Sequence, residues 1–227
     1  MTITARSRNL RALGGVLFAA FFIAGGVLGG VLASGSLPLP GAPAAEVARY
    51  FTESRTAVLV SGLFQVLSAI SLFVFVAPVT AFARRIAGER RALPGLTSGG
   101  GALAAVFLLV SALLGWVLAL TAAGLELDLV GTLRNLNFLS GGAAHVASLG
   151  LFVGATSIAA LRARALPRWI LWLGILAAAL SILSLASLVW FPATILLPLG
   201  RLLSLIWSIA VGLVLALGKQ REPGAGG

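Results

Sequence analysis

The sequence predicts an all-α fold: a polytopic membrane bundle of six transmembrane helices, with both termini cytoplasmic and one short interfacial helix on the outer side. Three observations predict it. Hydrophobic residues make up 59% of the 227 and charged residues only 10%, at a mean hydropathy of +1.09. Soluble domains carry about a quarter charged residues, so a water-soluble globule is excluded. Six segments are apolar over the ~20 residues that a helix needs to cross ~30 Å of hydrocarbon. Cations collect in alternate connections, as they do at the cytoplasmic ends of spans.

The basic N-terminus, 1–13, carries Arg6, Arg8 and Arg11 and precedes one six-span domain, 14–218. The spans are expected at 14–34, 56–82, 101–124, 138–161, 169–191 and 200–218. None contains Asp, Glu or Lys, and Arg201 stands at the mouth of the sixth. The second is longer than a bilayer requires, so it either tilts or continues past Pro78 as a cytoplasmic extension. The tail, 219–227, is expected to be disordered and cytoplasmic. An alternative start is a signal peptide cleaved after Ala42-Pro43-Ala44. The first apolar run of about 20 residues exceeds the roughly 7–15 of a signal core, which favours an uncleaved helix.

Charge placement sets the orientation. Arg84, Arg85, Arg90 and Arg91 follow the second span, Arg162, Arg164 and Arg168 follow the fourth, and Lys219 and Arg221 follow the sixth, on the same side as the N-terminus. The other side carries Arg49, Arg55, Arg134 and Arg201, balanced by Glu46, Glu53, Glu126 and Asp128. The whole net charge of +10 therefore falls on one face. A pI near 11.9 raises the question of nucleic acid. The cations lie in short loops without aromatic interleaving, so topology and attraction to anionic lipid at the inner face, ~1 kcal/mol per residue, account for them. No nucleic-acid partner is expected.

The first outer loop carries a pattern. Pro38, Pro40 and Pro43 keep the entry extended, and Val47, Tyr50, Phe51 and Ser54 then recur at helical spacing. The segment 44–55 reads as a short interfacial helix with its apolar face down, and Arg49 and Glu53 stand four residues apart on it. It serves either as an anchor for span entry or as a lid or partner surface. The stretch from Arg84 to Gly99, with Pro94-Gly95 and Gly99-Gly100-Gly101, reads as a flexible turn. The stretch Leu125–Asn137 reads as a short re-entrant or interfacial turn, and Pro192 and Pro198 bracket the last short loop. Trp169, Trp172 and Trp190 fall at span ends as an interfacial belt, whereas Trp116 and Trp207 fall inside spans.

Apolar burial does not drive helix association in lipid; small residues do, by letting backbones approach. Gly25 with Gly29, Gly26 with Gly30, and Gly150 with Gly154 are the expected packing faces. Polar groups are costly in a membrane and mark candidate sites. Gln65 stands ~13 Å and His145 ~10 Å below the outer ends of their spans at 1.5 Å per residue. Trp116, Ser184 and Ser208 fall at similar depth, and Ser148 shares a helix face with His145. Two readings stay open: a small polar cavity opening outward with Gln65 and His145 at its centre, or ordinary hydrogen bonding between helices, worth ~0.6 kcal/mol on average.

Catalytic chemistry finds few groups to work with. There is no cysteine, so disulfides, thiolate metal sites and thiol redox chemistry are excluded, and the single histidine excludes a multi-histidine metal site within one chain. Bis-histidine haem is disfavoured on the same ground. A rhomboid-like serine protease would need Gly-x-Ser-Gly and a later histidine, and proton-coupled carriers generally need a buried carboxylate. The glycines lie in helices and do not follow strands, so no phosphate-binding loop is read. We expect no enzyme, no cofactor and no metal.

The run Glu46-Val47-Ala48-Arg49-Tyr50-Phe51-x3-Arg55-x2-Val58-Leu59, continuing into the span with Gln65, resembles the first-loop signature of a family of bacterial six-helix membrane proteins of unknown function, frequent in actinobacteria. Leu166-Pro167-Arg168-Trp169-Ile170-Leu171-Trp172-Leu173-Gly174 resembles that family's entry to the fifth helix. The resemblance covers nearly the whole chain, implies six spans and carries over no mechanism. The expected role is a non-enzymatic bundle of the bacterial cell membrane: a permease-like protein for a small solute or lipid, or a subunit of a homo-oligomer or of a membrane partner. The alternative is a sensor or stress-associated accessory protein that uses the outer helix 44–55.

Overall fold

The computed structural model describes residues 9–88 and 92–218. The expected disordered tail, 219–227, and most of the basic N-terminus lie outside the described residues. Those described form helices and the connections between them, with no strand. Six helices are long and apolar enough to cross a membrane: Leu10–Leu32, Arg55–Ile86, Ala92–Gly124, Leu127–Ala163, Arg168–Leu188 and Phe191–Ala216.

Helix α1, Gly14–Leu32, follows a 3-10 turn and forms the first span. After α2, Ala44–Glu53, the second span is α3, Arg55–Ile86. It runs without a break through the buried Pro78. The long second span thus extends past the proline.

The third span is α4, Ala92–Thr121. It starts well before the expected position, and the Pro/Gly-rich stretch read as a flexible turn is its first turns. Pro94 falls within the first turn, where its missing N–H costs nothing. Gly100 and Gly101 are used for close approach. A Cβ on Gly100 would fall 2.8 Å from Phe152 N, and one on Gly101 would fall 2.5 Å from Val76 Cγ2.

The fourth span also departs from expectation. α5, Leu127–Leu139, continues through a π-helical turn, Ser140–Ala144, into α6, His145–Ala163. The result is one rod of 37 residues. The stretch read as a re-entrant or interfacial turn is therefore the rod's first turns. α7, Arg168–Leu183, ends in a 3-10 turn, and α8, Leu196–Ala216, begins after another.

The spans pack in chain order as a closed ring, α1–α3–α4–α6–α7–α8 and back to α1, with α6 reaching across to α3 and α8. The fourth span is the most enclosed and the first the least. The core holds Phe18, Leu72, Phe75, Phe152 and Trp207. Phe75, Phe152 and Trp207 stack edge-on in series, with centroids 5.9 and 5.7 Å apart. Of the expected packing glycines, Gly25 and Gly29 face Phe64 and Ser61 of α3, and Gly150 and Gly154 face Ser181 and Ala178 of α7. Gly26 and Gly30 meet nothing within 4 Å. Trp169, Trp172 and Trp190 are exposed.

Helix α2 is amphipathic, as its spacing predicts, but its apolar face covers protein. Val47 and Phe51 pack on Leu118, Ala119 and Ala122 of the third span's end and on Val130 of α5. Ser54, at its end, is buried, and its hydroxyl lies 2.7 Å from that of Ser34, tying the first connection shut across the bundle end.

Candidate functional site

At the bundle end opposite the described termini, five of the six spans leave a cavity of about 450 Å³. α1 contributes Phe22, α3 Gln65, α4 Leu108 and Ser111, and α8 Leu197 and Arg201. The fourth span contributes Arg134, Asn137, Phe138, Gly141 and Gly142, and Leu37, Leu39, Phe191 and Ile195 stand around the mouth. A neighbouring cavity of about 100 Å³ reaches under α2 to Tyr50 and Phe51 and shares Leu37, Gln65, Ser111 and Asn137 with the first. Gln65 therefore stands where the two meet.

The fourth span builds the polar wall. Arg134, Asn137 and Gly141 recur at steps of three and four, which puts them on one face of the rod. Arg134 is 6% exposed, so its charge is buried. Its Nη1 donates to Asn137 Oδ1 at 2.9 Å and its Nη2 to the Pro38 carbonyl at 2.9 Å. Asn137 Nδ2 donates in turn to Ser111 O at 2.7 Å, and Ser111 Oγ donates to Asn137 O at 3.2 Å. This exchange locks α5 to α4. It requires Gly141, because a Cβ there would overlap Ser111 Oγ.

The π turn widens the rod at this level, a local feature often found at functional sites. The Gly141 carbonyl within it accepts from Arg201 Nη2. The Arg201 guanidinium also lies 5.1 Å from the centre of the Phe22 ring, a cation–π contact. Among the described residues neither arginine's Nε has a hydrogen-bond partner and no carboxylate lines the cavity. Beside it, burial raises the Tyr50 pKa above its ordinary value, against a smaller opposing pull from Arg134, so this phenol is neutral at physiological pH.

The structure distributes the sequence-predicted polar layer. Gln65 lines the cavity. Trp116 instead donates its indole N–H to the Leu59 carbonyl at 3.1 Å, over Gly62, and clamps α4 to α3. His145 is fully buried; its Nδ1 pairs with the Ala104 carbonyl at 2.8 Å, and Phe18 meets the ring edge-on at 6.5 Å. Ser148 is buried where α6 crosses Gly100. Ser184 and Ser208 donate within their own helices, to Ser181 O at 2.7 Å and Ser204 O at 2.8 Å. Gln65 alone of the six reaches the cavity.

Sequence reasoning missed Arg134, Asn137 and Arg201. A signal for them was available: Arg201 is the one charge that falls inside an expected span, and Arg134 precedes Asn137 and Gly141 at helical steps. The cavity wall carries two guanidiniums, two carboxamides and the hydroxyls of Ser111 and Thr194, whose protons go to the Asn137 and Phe191 carbonyls, among side chains that are otherwise apolar. Among the described residues no three His, Cys, Asp or Glu side chains stand together to hold a metal.

Fold and cavity together define the class: an all-helical, multi-pass membrane protein with a pocket at one end of its bundle. No protein-family model, curated protein or solved structure matches the chain.

Proposed function

We propose that the chain is a non-enzymatic, permease-like bundle of the bacterial cell membrane and that the cavity at the outer end is its ligand site. The observation that carries this reading is the cavity itself, walled by five spans and fitted with Gln65, Arg134, Asn137 and Arg201 among apolar side chains. Ligand pockets generally combine mostly apolar walls with a few placed polar groups. Intramembrane charges characteristically face such cavities and mark ligand or ion paths. The one-sided charge of the connections supports cytoplasmic termini. The six apolar spans and the first-loop signature support kinship with the bacterial six-helix family.

The absence of cysteine permits a direct test. Thr194→Cys lines the cavity, and Arg168→Cys is exposed at the opposite end. In intact cells an impermeant maleimide is expected to label Thr194→Cys and to leave Arg168→Cys unlabelled until the cells are broken. Labelling of Arg168→Cys from outside would invert the orientation. Protection of Thr194→Cys on both sides would close the cavity and end its reading as a ligand site.

A further inference from the structure

We propose that the cavity holds an anionic amphiphile, its oxyanion head between Arg134 and Arg201 and its hydrocarbon chain along the apolar wall. The inference rests on the cavity being a ligand site and names the ligand's class.

Charge comes first. Two guanidiniums line one cavity, and among the described residues no carboxylate there balances them. Unpaired charge is expensive in a low-dielectric surrounding, and backbone carbonyls offset only part of that cost. Here the carbonyls of Pro38 and Gly141 and the amide oxygen of Asn137 each take one N–H, and the Nε–H of each arginine stays without a partner. An oxyanion beside the two guanidiniums supplies the missing counter-charge, because the flat guanidinium fork matches carboxylate and phosphate oxygens.

The walls supply the second half. Phe22, Leu108, Phe138 and Leu197 surround the polar groups, and Leu39 and Ile195 continue the apolar surface at the mouth, where both are exposed. A small inorganic ion would leave this hydrocarbon surface facing water. An amphiphile covers it. Pockets for small molecules span roughly 300–1,000 Å³, and 450 Å³ lies toward the lower end, enough for a head and the first part of a chain. The rest of the chain leaves past Leu39 and Ile195 toward the bilayer.

A fatty-acid carboxylate and an anionic phospholipid phosphate share this chemistry, and the test separates them. Thermal unfolding of the purified full chain would be followed in a neutral detergent by tryptophan fluorescence. The additives are palmitate, palmityl alcohol, short-chain phosphatidylglycerol, short-chain phosphatidylcholine and inorganic phosphate. Palmitate, phosphatidylglycerol or both are expected to raise Tm in a saturable manner; the two neutral analogues and inorganic phosphate are not. Protection by one charged amphiphile alone identifies carboxylate or phosphodiester as the head, and either result upholds the class. Arg201→Gln is expected to weaken the effect at least tenfold in apparent affinity, and so is Arg134→Gln. If Arg134→Gln fails to fold, Arg201→Gln decides alone. Equal protection by the neutral analogues, equal protection by phosphate, or undiminished affinity in Arg201→Gln would overturn the proposal. If Thr194→Cys is labelled from outside while none of the additives acts, the ligand class falls and the pocket reading stands.

Discussion

The two ends of this bundle solve the same problem in opposite ways. From the midplane toward the described termini, helices close on one another until glycine is the residue that fits. A Cβ on Gly15 would fall 2.5 Å from the Ser208 carbonyl, and one on Gly174 would fall 2.6 Å from Trp207 Nε1 and overlap Ser157 Oγ. Toward the other end the same helices splay around about 450 Å³ and two arginines. At one end the polar atoms are uncharged, and their bonds run either within a helix, as from Ser71 to Leu67 O, or across one contact, as from Ser68 to Phe18 O and between Thr97 and Thr156. At the other they are large, charged and held from several elements at once. The difference teaches that polarity within a span marks a site only where packing also leaves room.

The largest expected effect breaks the closed end. Gly174→Leu would drive a side chain into Ser157 and Trp207, both fully buried. Overpacking of this kind costs roughly 1–3 kcal/mol and more when backbone must shift, so we expect at least about 3 kcal/mol. The check is the fraction recovered as a monodisperse peak after extraction, together with its thermal midpoint. Gly142→Ala is the control at the open end, where the new Cβ would meet Phe138 at 3.4 Å, an ordinary contact. It is expected to stay within about 0.5 kcal/mol of the parent. Equal losses in the two variants would erase the contrast between the ends.

A second pair sharpens the comparison through opposite signs. His145→Ala removes a fully buried ring and its bond to the Ala104 carbonyl, and is expected to destabilise by about 2–3 kcal/mol while leaving the response to palmitate or phosphatidylglycerol intact. Arg201→Leu removes a guanidinium without a carboxylate partner and is expected to stabilise the ligand-free protein by about 1–2 kcal/mol while abolishing that response. Thermal midpoints with and without the amphiphile measure both. Destabilisation by Arg201→Leu in the absence of ligand would mean that the Gly141 and Phe22 contacts already compensate the charge.

The same contrast explains what was legible in the sequence. Six spans could be read because a bilayer demands an apolar length, and that demand is local. α2 could be read from the spacing of Val47 and Phe51, but not the surface it covers, because that surface is made by Leu118 and Val130 far along the chain. The stretch 92–101 was misread because proline and glycine look like a turn until Gly100 and Gly101 are seen against Phe152 and Val76. Depth along each span placed Gln65 and His145 in one layer, but depth carries no azimuth. His145 points at Ala104 and Phe18, whereas Gln65 points into the cavity. In the sequence Arg201 is a charge at the mouth of the sixth span, with nothing to show what it faces. It faces the cavity because the fourth span runs on for 37 residues and passes Gly141 beside it. The length of that rod depends on helical continuity through the more polar Leu127–Asn137, which hydropathy alone does not reveal.

The smallest expected effect belongs to the serines. Ser184 and Ser208, both expected in the polar layer, are fully buried, yet each hydroxyl donates to a carbonyl of its own helix, Ser181 O and Ser204 O; Ser208 lies at the closed end beside Gly15, and Ser184 follows α7 toward the cavity end. Such a bond satisfies the hydroxyl without joining two helices, so its loss does not loosen a packing face. The average for interhelical bonds in membranes is ~0.6 kcal/mol, and an intrahelical bond that leaves its carbonyl in the helix ladder should fall below that. Ser208→Ala and Ser184→Ala are each expected to shift stability by less than about 0.5 kcal/mol. Their effects should add in the double variant, because neither hydroxyl shares a partner with the other. Non-additivity, read from thermal midpoints of the four proteins, would show that buried hydroxyls toward the two ends are coupled through one polar network, and that the difference between the ends is one of degree.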